Sequence, residues 1–172
     1  EEVVSLIKKL DVGIDDLRVE KGKLPSFKNA PQEMQGVIAE LKKLSKRPDT
    51  QLVEIQTSHK KYNSSGKAVS FESFEAANHE SEGTKKLIAL SGPLIDTLRN
   101  GKTLFIDEMD ARLHPLITCA IIGLFNSKDS NPNNAQLIFI THDTNLLSKD
   151  RFRRDQIWFA EKDKLGATHL HS

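Results

Sequence analysis

Asp107 and Glu108 are adjacent carboxylates that directly follow the apolar run Leu104-Phe105-Ile106. Such a run, opened by Thr103, reads as a short buried strand that delivers both acids to its carboxyl end before the chain turns into a helix. There the first acid is placed to organise a divalent cation and the second to face an attacking water, which is the core of a nucleotide-hydrolysis site. The competing structural reading is a buried strand that stops at solvent, with acids marking the start of the next helix. Two further groups bear on the choice. Ser81-Glu82-Gly83-Thr84 offers a hydroxyl, bare N–H groups and the positive end of a helix dipole, which suits a phosphate; helix N-capping by Ser81 or Thr84 explains the same residues more simply. His142, in Thr141-His142-Asp143, follows a second apolar run. At the end of a strand beside Asp107 and Glu108 it would donate to a γ-phosphate; alone, it reads as a polar strand cap.

The elements that must position these residues follow from periodicity. Val3, Val4, Leu6, Ile7 and Leu10 share a helical face that Gly13 ends, and residues 14–19 read as extended. Residues 21–31 are a loop by composition. A second amphipathic helix turns Met34, Val37, Ile38, Leu41 and Leu44 inward and stops before Pro48. Its Lys42, Lys43, Lys46 and Arg47 form a solvated face rather than a nucleic-acid patch, because no aromatic residue is interleaved to stack on bases. Residues 51–62 and a run holding Val69, Phe71 and Phe74 read as a β-hairpin around Asn63-Ser-Ser-Gly66. Residues 85–98 carry a helical stripe interrupted by Gly92-Pro93, which predicts a kink or two abutting helices.

After the turn at Asn100-Gly101 comes the strand that leads to the acids, then a helix from about Pro115 burying Leu116, Ile117, Ala120, Ile121, Leu124 and Phe125. A polar loop over 126–134 leads to a second strand, 136–140, and a helical turn at Leu146-Leu147. A third strand at 156–160 and a fourth at 168–170 complete the order. Strand, helix, strand, helix, strand is the pattern of a parallel sheet with crossovers, an α/β fold. No internal repeat or low-complexity segment is present.

At 172 residues with a formal net charge of +1, the chain is long enough to bury a core and carries no field of one sign that argues for nucleic acid or membrane. Its single cysteine, Cys119, excludes an intrachain disulfide and fits a reducing cytoplasm. No apolar run approaches the ~20 residues needed to span a bilayer. The chain opens on Glu1-Glu2 with no initiator Met or signal pattern, as expected of a piece of something longer.

A phosphate-gripping loop needs Gly-x-x-x-x-Gly-Lys-Ser/Thr between a strand and a helix. Gly101-Lys102-Thr103 supplies the tail of that motif, but Asp96 stands at the first-glycine position and the triplet precedes a strand. Gly66-Lys67 fails through Lys61 at the first-glycine position and Ala68 in place of the hydroxyl.

The order Ser81-Glu-Gly-Thr-Lys85, Leu104-Phe-Ile-Asp-Glu108, Thr141-His-Asp143 resembles the second half of an ABC-type ATPase head: signature motif, Walker B with its catalytic Glu, and switch histidine. It is most similar to the bacterial ABC-like ATPases labelled AAA-family, some of them in phage-defence or abortive-infection systems. Leu113-His-Pro115 and Arg153-Arg-Asp-Gln-Ile-Trp158 also resemble that group. The resemblance is firm from His79 to Trp158. It implies a partial P-loop NTPase sheet with flanking helices over 101–172, a signature segment over 76–100, and a helical and β-hairpin lid over 1–75. It further implies ATP and Mg²⁺ as cofactors. Asp107 would hold Mg²⁺ through a water, Glu108 would polarise the attacking water and His142 would contact the γ-phosphate. Ser81, Glu82, Gly83 and Thr84 would face ATP held by a second head, in a homodimer. The P-loop and Q-loop are expected in a missing N-terminal half. His114 departs from the Asp common in ABC heads, which bears on communication between the two sites.

The expected function is ATP hydrolysis once this part joins its P-loop half, driving a defence effector protein or a nucleic-acid-related one, in the cytoplasm and away from membranes. One alternative is a non-hydrolysing dimerisation module, which the intact Asp107-Glu108 pair argues against. Another is a metal-dependent nuclease using Asp107, Glu108, Asp110 and His142, for which no further acids complete a two-metal site.

Overall fold

The periodicities translate into a computed structural model that describes residues 1–10, 13–22, 34–44 and 53–172. Helix α1 (Glu2–Lys9) buries Leu6 and Ile7, and Gly13 adopts a positive φ after it. Strand β1 (Asp16–Lys21) follows, then α2 (Gln35–Leu44). Of the residues expected to turn inward from α2, Ile38 is buried, but Met34 and Val37 are exposed. An isolated amphipathic stripe leaves the width of its buried arc undetermined. The loop expected over 21–31 starts later, since β1 runs through Lys21; its residues 23–31 and the helix end near Pro48 lie outside the described residues, as do Leu52, Lys46 and Arg47.

β2 (Val53–Tyr62) and β3 (Ala68–Glu75) form the expected antiparallel hairpin. Its turn is built by the Asn63 side chain, whose Oδ1 accepts from the Ser65 and Lys67 amides at 3.1 and 2.9 Å, while Gly66 takes a φ of 76°. β1 adds to β2 antiparallel, giving a three-stranded sheet in the order β1-β2-β3. The short helix α3 (Ala76–His79) packs on β2 and β3.

Helix α4 (Glu82–Asn100) is one helix with Pro93 inside it, where a break into two was one expectation. Proline leaves the Ala89 carbonyl without its amide partner, an interior cost of about 3 kcal/mol. Leu87, Ser91, Leu94 and Thr97 are buried along one stripe, so side-chain burial offsets that cost. The chain divides into two units, Glu1–Ser91 and Gly92–Ser172.

In the second unit, β4 (Thr103–Ile106) and β5 (Gln136–Phe139) pair in parallel, connected through α5 (Pro115–Asn126). Buried residues include Leu94, Ile106, Met109, Leu113, Ile121 and Leu146. Three corrections apply. The buried face of α5 carries Thr118, Ile121, Ile122 and Leu124, whereas Leu116 and Ala120 are exposed. The helix is apolar on nearly all sides, so its period does not fix which side faces in. β4 and β5 are also not fully buried strands: Phe105 and Ile138, register partners, are 71% and 46% exposed, and Ile140 is 59% exposed. A third correction concerns β6 (Phe159–Lys162) and β7 (Thr168–His171), which form a separate antiparallel hairpin rather than extending the parallel sheet. Among the described residues that sheet has two strands.

Both strands of the parallel pair start from one fixed point. Gly101 has a φ of 61°, and a Cβ there would lie 2.5 Å from the Asn133 carbonyl oxygen. The Asn133 side chain in turn donates to Arg99 O at 2.7 Å, and Asn131 pins Ala135 with bonds to its N–H and carbonyl. Gly101→Ala is expected to destabilise the fold by roughly 1–3 kcal/mol. Urea unfolding would show a lower midpoint at unchanged slope; an unchanged midpoint would contradict the close approach.

Candidate active site

Parallel pairing places the carboxyl ends of β4 and β5 side by side, with Ile106 opposite Phe139. The ladder continues past the strands: Ile140 N–H donates to Ile106 O at 3.0 Å, and Met109 N–H donates to Ile140 O at 3.0 Å. Asp107-Glu108 and Thr141-His142 therefore leave the sheet from adjacent points, and all but the half-buried Thr141 are exposed. Met109, fully buried, anchors the turn that carries the acids. Glu108 has a φ of 46° and Arg112 a φ of 65° in that turn. A left-handed glutamate costs energy in a free chain and persists where the surroundings hold it, as ladder bonds and the Met109 anchor do here.

Asp110 lies in the same turn, beyond the strand as expected. The Thr141 hydroxyl beside it holds its carboxyl below the usual carboxylate range, against burial that pushes it up; the backbone amide and charge of His142 act with Thr141. Oδ1 of Asp110 is buried without a hydrogen-bond partner. Thr141 Oγ1 also accepts from the Asp143 amide at 3.0 Å. The loop carrying His142 is thus held along its own chain by the bond from the Asp143 amide to Thr141. Sequence reasoning weighed Asp110 only as a nuclease ligand. Its spacing of three from Asp107 and the parallel pairing were both expected; the approach of Thr141 to it was not.

His114 caps α5, its Nδ1 accepting from Leu116 N–H at 3.2 Å. The imidazole does here what a capping Asp would do. Lys102, the lysine of the incomplete phosphate loop, binds Asp96 at 2.8 Å. Asp96 is the residue that stands at the first-glycine position, and Lys102 holds its carboxyl below the usual range.

The signature segment lies in the first unit. Ser81 Oγ accepts from Thr84 N–H at 3.1 Å and meets the Thr84 hydroxyl at 2.8 Å, so the capping role is real. Ser81 remains exposed, Gly83 is half-buried in the first turn of α4, and Glu82 is paired with Lys85 at 3.0 Å.

Magnesium keeps most of its waters and takes one or two carboxylates beside phosphate oxygens. A single exposed Asp107 at a strand end suits that donor set. Among the described residues no group of three or more His, Cys, Asp or Glu could hold a metal. A cleft of about 910 Å³ runs from His142 along β5 to Trp158, but its lining includes no lysine or arginine to hold a phosphate.

The family model described as "AAA domain, putative AbiEii toxin, Type IV TA system" matches residues 6–148. The chain belongs to this family. Membership in this AAA family, which is P-loop ATPase-like, accords with nucleotide-binding, ATPase-type activity, and the mixed α/β structure with its parallel β4–β5 pair is compatible with a P-loop NTPase-like fold. The matched AAA region contains neither complete phosphate-gripping motif. No curated protein matches the chain, and among the described residues no helix is long and apolar enough to cross a membrane.

Because its carboxyl is held below the unfolded value of about 3.9, Asp110 adds stability above that pH and loses it as pH falls through the folded value. Asp110→Asn is expected to be less stable than the parent near pH 7, with the gap closing on acidification below about pH 4. Urea unfolding across pH 3–7 measures it; a gap independent of pH would contradict the account.

Proposed function

We propose that this chain is the C-terminal half of an ABC-type ATPase head, supplying the hydrolytic acids of an ATP site whose phosphate loop lies in a separate N-terminal half. The observation that carries the reading is the exit of Asp107-Glu108 and His142 from adjacent ends of one parallel strand pair. In this reading Asp107 would hold Mg²⁺ through its bound water. Glu108 accepts a hydrogen bond from the water that attacks the γ-phosphorus, orienting it in line with the leaving ADP oxygen. His142 donates to a γ-phosphate oxygen as charge develops there. Bound Mg²⁺ would neutralise the β- and γ-phosphate oxygens.

The exposed face made by Phe105, Ile138 and Ile140 supports an absent half, since a two-stranded sheet with one apolar face open is seldom stable alone. Ser81 and Gly83, at the start of α4, would bind the γ-phosphate of ATP held by a second copy, closing two sites in a homodimer. The family's toxin–antitoxin description supports a defence role, with ATP turnover driving an effector protein or a nucleic-acid-directed one in the cytoplasm. A non-hydrolysing docking module would use only the surface around Ser81. It would not need a glutamate held at positive φ beside a second acid, so hydrolysis is the reading preferred.

In the full-length protein, Glu108→Gln is expected to lower ATP turnover by roughly 10²–10⁴-fold with ATP affinity retained; unchanged turnover would contradict the assignment. The present chain alone should give no measurable heat with Mg-ATP in titration calorimetry at concentrations that saturate the full head. Tight binding would show that the phosphate grip is already here.

A further inference from the structure

Glu80 stands one residue before Ser81 and is held by a niche of its own. Its Oε1 accepts from the Thr57 hydroxyl at 2.5 Å and meets His59 Nε2 at 2.7 Å. Thr57 is fully buried, and the Glu80 side chain is only 10% exposed. Thr57 and His59 are two residues apart on β2 and so share one face of the sheet. Phe74, paired with Thr57 in register, packs its ring against both His59 and His79, with centroids 5.6 Å apart in each case. A carboxylate withdrawn from water costs energy unless it is hydrogen-bonded and paired, and two donors converging on one oxygen define where it must sit.

We infer that Glu80 is a positioning residue: it fixes the start of the signature helix to the three-stranded sheet and thereby sets Ser81 and Gly83 for the γ-phosphate of the opposite head. The inference rests on the proposed in-trans use of Ser81. One peptide, about 3.8 Å between Cα atoms, separates Glu80 from Ser81. Ser81 in turn caps Thr84, and Lys85 N–H donates to Ser81 O at 2.9 Å. A shift of the carboxylate relative to β2 is therefore passed to the cap and to the first turn of α4 with little slack. Conversely, whatever moves the hairpin moves the signature.

The test uses the full-length protein with Glu80→Ala, Glu80→Gln, Thr57→Val and, as a control on the site itself, Ser81→Ala. Amide hydrogen exchange at residues 81–85 is read beside turnover as a function of protein concentration and ATP affinity. Glu80→Ala is expected to speed exchange at 81–85 about tenfold or more. It should also lower turnover by up to roughly 10²-fold, as a misplacement near 1 Å can, and leave ATP affinity at low protein concentration unchanged. Glu80→Gln, which keeps the acceptor oxygen, should recover part of both losses. Unchanged exchange at 81–85 in Glu80→Ala would overturn the inference, as would parental turnover in that variant while Ser81→Ala abolishes it. If Ser81→Ala also turns over normally, the in-trans reading fails instead, and the exchange result alone decides whether Glu80 places the segment. Should Glu80→Ala not fold, Thr57→Val removes one of the two bonds to the same oxygen and is read the same way.

Discussion

The candidate site depends on the parallel pairing of β4 with β5. It starts at Gly101, where only a glycine tolerates the Asn133 carbonyl, and it ends in the alternating bonds from Ile140 to Ile106 and from Met109 to Ile140. Because neighbouring strands lie under 5 Å apart, extending this ladder past the last strand residues brings the acid-bearing turn and the His142 loop together. Thr141 and His142 then lie close enough to Asp110 to hold its carboxyl below the usual carboxylate range. A slip of one residue would turn every side chain of one strand to the opposite face, so the register at Ile106–Phe139 is what the chemistry stands on.

What could be read from the residues is what depends on local pattern. The β2–β3 hairpin was legible because alternation and the Asn63–Gly66 turn agree, and β4 and β5 because short apolar runs end in polar clusters. The helix after Pro115 was legible in extent but not in orientation, since Leu116 and Ile117 look alike to any periodicity and only one of them is well exposed. The parallel pairing of β4 with β5 was legible from the strand–helix–strand order, but the other long-range pairings were not. β1 joins β2 across residues far apart in sequence, β6 and β7 pair with each other instead of extending the parallel sheet, and Glu80 finds Thr57 and His59 on a strand more than twenty residues upstream. The roles of Asp110 and Glu80 were hidden for the same reason: each is an ordinary acid until its partners are brought to it.

Family membership and the failed phosphate loops point in one direction. The chain belongs to an AAA family over most of its length, yet Lys102, its best phosphate-loop lysine, is paired with Asp96. On the proposed reading the chain holds the acids, the switch histidine and the surface offered to another head, while the grip on its own nucleotide is supplied elsewhere. On the same reading Glu80 would tie that offered surface to the three-stranded sheet, through which the sheet would influence turnover.

The central claim is that Ser81 serves a different head from the one whose Glu108 it shares a chain with. It is tested most directly by mixing two inactive full-length variants, Ser81→Ala and Glu108→Gln. In mixed dimers one site combines the intact Glu108 of one head with the intact Ser81 of the other. Mixing is therefore predicted to restore turnover, to roughly a quarter of the parental level if dimers form at random. A mixture as inactive as its two components, with mixed dimers shown to form, would contradict the account.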